Sequence, residues 1–340
     1  MLRMDHLVSV IIPMFNAERW IEETIASIEA QTYPRDLIEV IVVDDGSTDN
    51  SAAIVERKFP GTRLMRSTNG GPSRARNVGT QASRGAFIQY LDADDLLARD
   101  KVMRQVHALE NTGADVAYGD WQGLVLQEDG VFKHGDVMQR KMEEEPEIAL
   151  LVDFWCPPAA YLFHRGIVEK VGGWNERLPA IRDARIALDC ALHHAVFTYC
   201  RGITAYYRIH AHQLAMRRDP AAFSADCFRN ACELEDWFQK HGGLTEKRRA
   251  ALIKVFEQVA RATYETNRDT FEAAYEMLER LSPNGYVPSR PKRLVLASKF
   301  VGYRRAEALA VKYRKGKALL GASARGKACV NESGRSIQHR

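Results

Sequence analysis

Short apolar runs alternate with longer amphipathic segments over roughly the first hundred residues of the chain. Strand-like runs with β-branched, leucine or aromatic residues and no internal glycine occupy residues 8–12, 38–43, 63–65 and 87–91. Between them, apolar residues recur at helical spacing, as at Ile21, Ile25 and Ile28. This alternation of strands and helices predicts an α/β fold with a parallel sheet and helices on both of its faces.

Carboxylates follow directly on two of these runs. Asp44 and Asp45 follow the second run, and Asp92, Asp94 and Asp95 follow the fourth. The carboxyl ends of parallel strands share one edge of a sheet, where open α/β folds bind their ligands. Adjacent acids are costly to bury without a positive partner, and clustered oxygen ligands suit Mg²⁺ or Mn²⁺. The alternative is a solvated acidic turn that caps the next helix.

A glycine-rich turn precedes the fourth run. Asn69, Gly70 and Gly71 form a turn whose backbone can approach a ligand closely. Arg74 and Arg76 follow in the first turn of the next helix, where cations oppose the helix dipole. That placement is tolerable if an anion or the acidic cluster lies opposite. Solvated arginines at an ordinary helix start are the alternative.

Composition and missing motifs exclude several classes of protein. The net charge of +4 argues against a dedicated nucleic-acid binder. The six cysteines have neither CxxC nor zinc-like spacing, which favours reduced thiols and a cytoplasmic location. We expect no signal peptide and no membrane-spanning helix. There is no GxGxxG after the first strand and no GxxxxGK[ST], so neither a standard dinucleotide site nor a P-loop is supported.

Four motifs along the chain match one family in order and spacing. They are residues 8–16, residues 42–49 (Val-Val-Asp-Asp-Gly-Ser-Thr-Asp), the pattern Asn69-x-Gly71-x-Ser73-x-Ala75-Arg76-Asn77-x-Gly79, and residues 91–95 (Leu-Asp-Ala-Asp-Asp). Together they resemble the nucleotide-sugar half of the family 2 glycosyltransferases. The resemblance covers roughly residues 7–215. It implies the GT-A fold, a Rossmann-like mixed sheet flanked by helices, here followed by a C-terminal helical region.

The resemblance also implies roles for individual residues. The donor nucleotide would be bound by Pro13, Phe15, Asn16, Asp44, Asp45, Asn69, Gly71, Arg76, Asp92, Asp94, Arg208 and His210. Pro13, Phe15 and Asp45 would line the base and ribose pocket. Asp95, together with Asp94, would hold the divalent cation, Mn²⁺ or Mg²⁺. Arg208 and His210 belong to a Tyr-Arg-x-His segment and can donate to phosphate.

The acceptor side is expected within residues 101–215, with Asp183 as the general base. In the family the matching stretch ends in Glu-Asp, but Arg182 replaces the glutamate here. Arg185 also stands where an acid is common. A neighbouring guanidinium stabilises a carboxylate and would weaken it as a base. The alternative role for Asp183 is that of an ordinary acid in the first turn of a helix.

These expectations combine into an inverting, metal-dependent glycosyltransferase. It would move a sugar from a nucleoside-diphosphate sugar, with UDP as the expected nucleotide, to a glycan or lipid-linked glycan in cell-surface polysaccharide or glycolipid biosynthesis. The alternative is a non-catalytic nucleotide-sugar-binding homologue, which Arg182 keeps open. A nucleotidyltransferase is less favoured, because residues 14–17 (Met-Phe-Asn-Ala) are not a glycine- and lysine-rich loop.

The last third of the chain is predicted to be helical and carries no catalytic motif. We expect a catalytic domain at 7–215 (donor half 7–100, acceptor half 101–215), a helical extension at 216–285, a basic amphipathic segment at 286–320 and a disordered tail at 321–340. Residues 290–317 contain ten Lys or Arg residues and one acid, Glu307. Such a segment could bind the inner face of the cell membrane peripherally, or it could dock its apolar face on the protein.

Overall fold

The computed structural model describes residues 6–210, 219–282, 284–288 and 291–313. The expected tail at 321–340 lies outside these ranges. Residues 289–290 and 314–320 of the basic segment also lie outside them.

The described residues contain a mixed sheet of nine strands. The strands are β1 (Val8–Met14), β2 (Ile38–Asp44), β3 (Arg63–Arg66), β4 (Phe87–Tyr90), β5 (Leu96–Leu97), β6 (Val116–Leu126), β7 (Phe132–Met138), β8 (Tyr161–His164) and β9 (Phe197–Ile209). Their order is β3-β2-β1-β4-β8-β6-β9-β5, and β7 also pairs with β6. The first four strands are parallel, whereas β8 runs antiparallel to β4 and β6. The predicted mixed α/β sheet is therefore confirmed.

Helices flank the sheet, and further helices follow the last strand along the chain. They are α1 (Ile21–Glu29), α2 (Ser51–Lys58), α3 (Pro72–Ala82), α4 (Lys101–Thr112), α5 (Pro146–Val152), α6 (Arg165–Val171), α7 (Arg182–Leu192), α8 (Pro220–Lys240), α9 (Glu246–Thr263), α10 (Arg268–Leu281) and α11 (Lys292–Val301). Residues 303–313 are also helical. The helical C-terminal region expected from the sequence is confirmed.

Strand β1 lies at the centre of the parallel part of the sheet, and all seven of its residues are buried. Ile11 faces Ile41 of β2 on one side and Tyr90 of β4 on the other. Helix α3 packs closely on this strand, since a Cβ added at Gly79 would lie 2.4 Å from Cγ2 of Ile11. The close packing fixes the position of Arg76, one turn earlier on the same helix.

Strands β6 and β9 are long and continue through Gly119 and Gly202, although glycine inside a strand pattern favours an interruption. Strand β6 continues to Leu126 and forms an antiparallel hairpin with β7 across the Asp129-Gly130 turn. Residues 206–209, which include Arg208 of the Tyr-Arg-x-His segment, complete β9. The physical reason is the long parallel pairing of β6 with β9, which runs from Val116 to Val125.

The described part of the basic segment contains two helices. Helix α11 ends at Val301, and residues 303–313 are helical again. Gly302 separates them with a φ of +77°, in the left-handed region that glycine tolerates best.

The chain divides into two compact units, one up to Ala251 and the other from Leu252. The core of the second unit contains Leu252, Phe256, Phe271, Leu278 and Tyr303. The domain boundaries expected from the sequence stay predictions. No helix within the described ranges is both long enough and apolar enough to cross a bilayer.

Candidate active site

The acidic loop after β4 brings three carboxylates together. Asp92, Asp94 and Asp95 each offer an oxygen, and these oxygens lie within 4.8 Å of one another. Asp95 is fully buried; its Oδ1 accepts a hydrogen bond of 2.9 Å from the backbone N of Arg208. Its Oδ2 has no hydrogen-bond partner in the described part of the chain. Burial, followed by the charges of Asp94 and Asp92, raises the pKa of Asp95 well above its usual value.

Arg208 at the end of β9 and His210 just after the strand both contact this loop. Arg208 is buried, donates from Nη1 to the backbone oxygen of Asp94 at 3.0 Å, and pairs with Glu23 of α1. Burial lowers the pKa of Arg208 in spite of these acids. The Nε2 of His210 lies 3.1 Å from Oδ2 of Asp94. The loop and the Tyr-Arg-x-His segment therefore form one cluster.

Trp20 contacts the side chains of both Arg208 and His210. Its ring stacks on His210 with centroids 5.1 Å apart, and the guanidinium carbon of Arg208 lies 5.3 Å from its centroid. The sequence analysis did not single out Trp20, because an aromatic residue next to the apolar positions of α1 looks like an ordinary core residue. It did not single out Glu23 either, because acids are common in the first turn of a helix.

Arg76 joins the acidic loop to the expected general base. Its guanidinium pairs with Asp92, and its Nη1 lies 3.6 Å from Oδ1 of Asp183. The ring of Trp174 covers the guanidinium, with 4.0 Å from carbon to centroid. Burial lowers the pKa of Arg76, but Asp92 and Asp183 outweigh burial, and the pKa is raised overall. This buried cation stays charged between two carboxylates.

The first turn of α7 carries Asp183, whose side chain is 25% exposed. Nε of Arg182 lies 3.8 Å from Oδ1 of Asp183, so one of the two departures from the family pattern lies beside the expected base. Arg185 instead contacts Asp189 at 2.7 Å and links α7 to α8, where it donates to Asn230 and Glu233. Arg185 therefore has a structural role within this unit.

Asp45 organises the glycine-rich turn. Its buried carboxylate accepts hydrogen bonds from the backbone N of Gly70 at 2.9 Å and of Gly71 at 2.8 Å. Gly71 has a φ of +86°, which favours glycine at that position. Asp44 closes its own turn, with Oδ1 accepting from the N of Ser47 at 3.0 Å. The turns after β2 and before α3 are thereby held together.

The remaining donor-side residues differ in exposure. Asn16 has a φ of +49°, and its Oδ1 accepts from the N of Thr48 at 2.8 Å, which ties the end of β1 to the turn after β2. Phe15 is 50% exposed, and Asn69 is also exposed. Pro13 is buried in β1 opposite Val43. The ligand roles expected for these residues stay predictions.

Asn77 is a connecting residue that the expected site did not include. Its Nδ2 donates to the backbone oxygen of Trp174 at 3.0 Å, and its Oδ1 accepts from the N of Trp174 at 2.8 Å. Asn77 therefore fixes the loop whose indole covers Arg76. The available signal was its place in the motif that contains Arg76.

The sheet, the acidic loop and the glycine-rich turn define a GT-A-like glycosyltransferase fold. Residues 9–171 match the family model described as Glycosyl transferase family 2. This match covers just under half of the chain, and over that segment it confirms the resemblance to glycosyltransferase family 2 that the four motifs indicated.

Curated relatives match the N-terminal part of the chain. An uncharacterized glycosyltransferase of Haemophilus influenzae is 34% identical over 119 residues, which is 34% of this chain and 47% of the relative. The poly(ribitol-phosphate) beta-N-acetylglucosaminyltransferase TarS of Staphylococcus aureus is 31% identical over 147 residues, or 42% of this chain and 24% of TarS. The matched segment spans less than half the length of either relative.

The fold extends this similarity over most of the chain. The crystal structure of S. aureus TarS 1-349 in complex with UDP-GlcNAc superposes with a TM-score of 0.57 and 19% identity, covering 91% of this chain and 92% of that one. Longer S. aureus TarS gives a TM-score of 0.56 and covers 89% of this chain and 55% of that one. At this identity the similarity establishes the fold, and the expected GT-A-like architecture is confirmed.

Proposed function

We propose that this chain is an inverting glycosyltransferase that moves a sugar from a UDP-sugar to an acceptor hydroxyl. The match of residues 9–171 to the model of glycosyl transferase family 2 supports nucleotide-sugar glycosyl transfer. The choice of UDP is supported by the similar fold of TarS 1-349, which is described in complex with UDP-GlcNAc. A hydroxyl-bearing polymer, such as a glycan, is supported as acceptor by the name of TarS, a poly(ribitol-phosphate) beta-N-acetylglucosaminyltransferase.

The observation that carries the proposal is the double contact of Arg76. The guanidinium of Arg76 pairs with Asp92 of the acidic loop, and its Nη1 lies 3.6 Å from Oδ1 of Asp183. A donor diphosphate beside the acidic loop would thus have a partly exposed carboxylate close to its reacting end. That arrangement suits a direct displacement, which needs a proton acceptor on the side from which the acceptor hydroxyl attacks.

The chemical step follows from these positions. The acceptor oxygen forms a bond to the anomeric carbon of the sugar while the bond from that carbon to the diphosphate oxygen breaks. Asp183 accepts the proton of the attacking hydroxyl, and UDP leaves with the bonding electron pair. Arg208 and His210 donate to the diphosphate as its negative charge grows. Attack opposite the leaving group inverts the anomeric centre.

The acidic cluster fits a divalent cation. Three carboxylates approach one another, and the buried Oδ2 of Asp95 has no hydrogen-bond partner among the described residues. Hard oxygen donors of this kind suit Mn²⁺ or Mg²⁺. Asp95 and Asp94 would hold the cation, and Asp92, whose oxygen lies within 4.8 Å of theirs, would complete the cluster. When bound, the cation would offset negative charge on the leaving diphosphate.

One observation favours a second candidate function, a non-catalytic nucleotide-sugar-binding protein. Arg182 lies 3.8 Å from Asp183, and a carboxylate beside a cation is a weaker base. Such a protein would bind the nucleotide sugar but would not transfer the sugar to an acceptor.

Release of UDP by the full-length protein separates the two candidates. We expect metal-dependent UDP release with at least one member of a UDP-sugar panel, supplied with glycan acceptors. Asp183→Asn should lower turnover by about a hundredfold or more, because a general base contributes about 10²- to 10⁴-fold. The affinity for UDP should not change. The exposed Asp236→Asn serves as the matched control.

Each failure has a distinct meaning. Wild-type protein that binds UDP without turnover would support the non-catalytic candidate. Unchanged turnover in Asp183→Asn would remove the role assigned to that residue.

A further inference from the structure

Exposed apolar side chains are concentrated in the two helices between residues 292 and 313. The described residues include twelve exposed large hydrophobic side chains, and five of them lie in this stretch: Leu296, Phe300, Val301, Leu309 and Tyr313. Phe300 is 81% exposed and Leu296 is 61% exposed. Single exposed apolar residues are ordinary, but a concentration of this kind marks an interaction surface.

The same residue pattern recurs on the exposed side of both helices. In α11 the exposed residues Lys292, Leu296, Lys299 and Phe300 follow the order basic, leucine, lysine, aromatic at positions i, i+4, i+7 and i+8. In the helix at 303–313 the exposed residues Arg305, Leu309, Lys312 and Tyr313 repeat that order and spacing. Residues so spaced share one face of a helix. The opposite faces are buried through Leu294, Ser298, Tyr303, Ala306 and Val311.

The exposed faces carry positive charge without exposed acid. The one acidic residue within 291–313 is Glu307, and it is fully buried. Arg304 pairs with Glu272 of α10. Lys299, Arg305 and Lys312 make no ion pair with any residue that the structure describes. These three charges are therefore available to an anionic partner.

The two helices lie side by side at one end. Nη1 of Arg293, in the first turn of α11, donates to the hydroxyl of Tyr313 at 3.2 Å. Its guanidinium carbon lies 5.8 Å from the centroid of the same ring. The chain reverses at Gly302 and returns alongside α11. Both repeats therefore belong to one helical hairpin within the second compact unit.

We propose that this hairpin binds the surface of an anionic phospholipid bilayer, with both helices lying in the interface. Leucine and aromatic side chains at this spacing can enter the headgroup and acyl boundary, while lysine and arginine reach the lipid phosphates. Charge alone would also suit a soluble polyanion such as heparin. Heparin, however, has no apolar interior that the exposed leucine and phenylalanine side chains could enter. A second copy of the same hairpin would bring like charges together.

The inference does not rest on the proposed function. Cosedimentation of the full-length protein with vesicles, without nucleotide or sugar, tests it directly. We expect binding to vesicles that contain phosphatidylglycerol and little binding to pure phosphatidylcholine. Added salt should weaken the binding, because it screens the charges.

Replacement of the apolar residues tests the bilayer specifically. Leu296→Ser/Phe300→Ser should weaken vesicle binding by about tenfold or more, since their apolar surface no longer enters the interface. Phe223→Ser on α8 is the matched control, because Phe223 is 53% exposed and lies outside the hairpin. Circular dichroism should show the wild-type helix content in all variants, since the replaced side chains are exposed.

Replacement of the lysines tests whether their positive charges contribute to vesicle binding. Lys299→Gln/Lys312→Gln should weaken binding to phosphatidylglycerol vesicles, by about fivefold per lysine. The exposed pair Arg57→Gln/Lys240→Gln is the charge-matched control. Absence of vesicle binding, or equal binding to neutral vesicles, would overturn the proposal. Binding that Leu296→Ser/Phe300→Ser leaves intact and that heparin removes would identify a soluble polyanion instead and would also overturn it.

Discussion

Arg76 lies between carboxylates of two different elements, Asp92 in the loop after β4 and Asp183 in α7, with the indole of Trp174 against its guanidinium. A planar guanidinium can serve several partners at once, whereas the ammonium group of lysine is a point charge on a flexible stem. Loss of one partner from a buried ion pair leaves an uncompensated charge and costs about 3–5 kcal/mol.

Arg76→Lys should therefore damage both stability and activity. We expect the free energy of unfolding to fall by about 2 kcal/mol or more, since lysine cannot reproduce all the contacts of the guanidinium. Turnover should fall at least tenfold through misplacement of Asp183. Urea unfolding and UDP release measure the two effects. Arg74→Lys, an exposed position in the same helical turn, is the matched control, and equal behaviour of both variants would contradict the bridging role.

Helix patterning alone could predict that a cation near the start of α3 faces acid, but only the family resemblance singled out Arg76 from Arg74. Residues two apart on a helix point about 200° away from each other, so only one can face the sheet edge. The structure buries Arg76 and leaves Arg74 exposed. Trp20 and Trp174 show the same limit, because an aromatic residue at core spacing gives no sign that it will stack on a functional cation.

At the scale of elements, the packing of α3 on β1 determines where Arg76 lies. Gly79 permits the contact, since an added Cβ would meet Cγ2 of Ile11 at 2.4 Å and Cγ2 of Val43 at 3.3 Å. Alanine normally favours a helix by about 1 kcal/mol over glycine. Here the clash with a buried strand outweighs that gain, because overpacking a core costs about 1–3 kcal/mol.

Gly79→Ala should consequently lower the free energy of unfolding, by about 1 kcal/mol net. Gly61→Ala is the control, since its Cβ would meet nothing within 4 Å. Thermal and urea unfolding of the two variants provide the comparison. A Gly79→Ala protein as stable as wild type would mean that α3 can move away from β1 without cost.

The parallel strands were predictable because each is a compact apolar run, whereas β6 and β9 were not. Gly119 looks like a turn residue in the sequence, yet its Cβ would lie 2.3 Å from Cγ2 of Thr204 and 2.7 Å from the backbone oxygen of Cys200. The glycine permits close pairing of two long strands. A contact between residues so distant along the chain leaves no local pattern in the sequence.

At the scale of the molecule, the family match covers only part of the candidate site. The matched segment ends at residue 171, before Asp183, Arg208 and His210. Contacts join these residues to the matched part, through Arg76 for Asp183 and through the acidic loop for the other two. Their functional roles are proposals that rest on this geometry together with the sequence resemblance.

The sequence also predicted the basic character of the C-terminal segment but not its division at Gly302. A single long helix and two short ones have the same hydrophobic spacing, and one glycine is tolerated inside many helices. The left-handed φ of Gly302 decides between them.

The central claim is that the acidic loop, the turns held by Asp45 and the end of β9 form one site for a nucleotide diphosphate and a divalent cation. Calorimetric titration of the full-length protein with UDP, with and without Mn²⁺, tests this claim most directly. We expect UDP to bind at least about tenfold more tightly with Mn²⁺, because the cation offsets the charges of both diphosphate and carboxylates. Asp94→Asn should abolish the difference. UDP affinity that is identical with and without Mn²⁺, or an Asp94→Asn protein that keeps the full metal effect, would contradict the account.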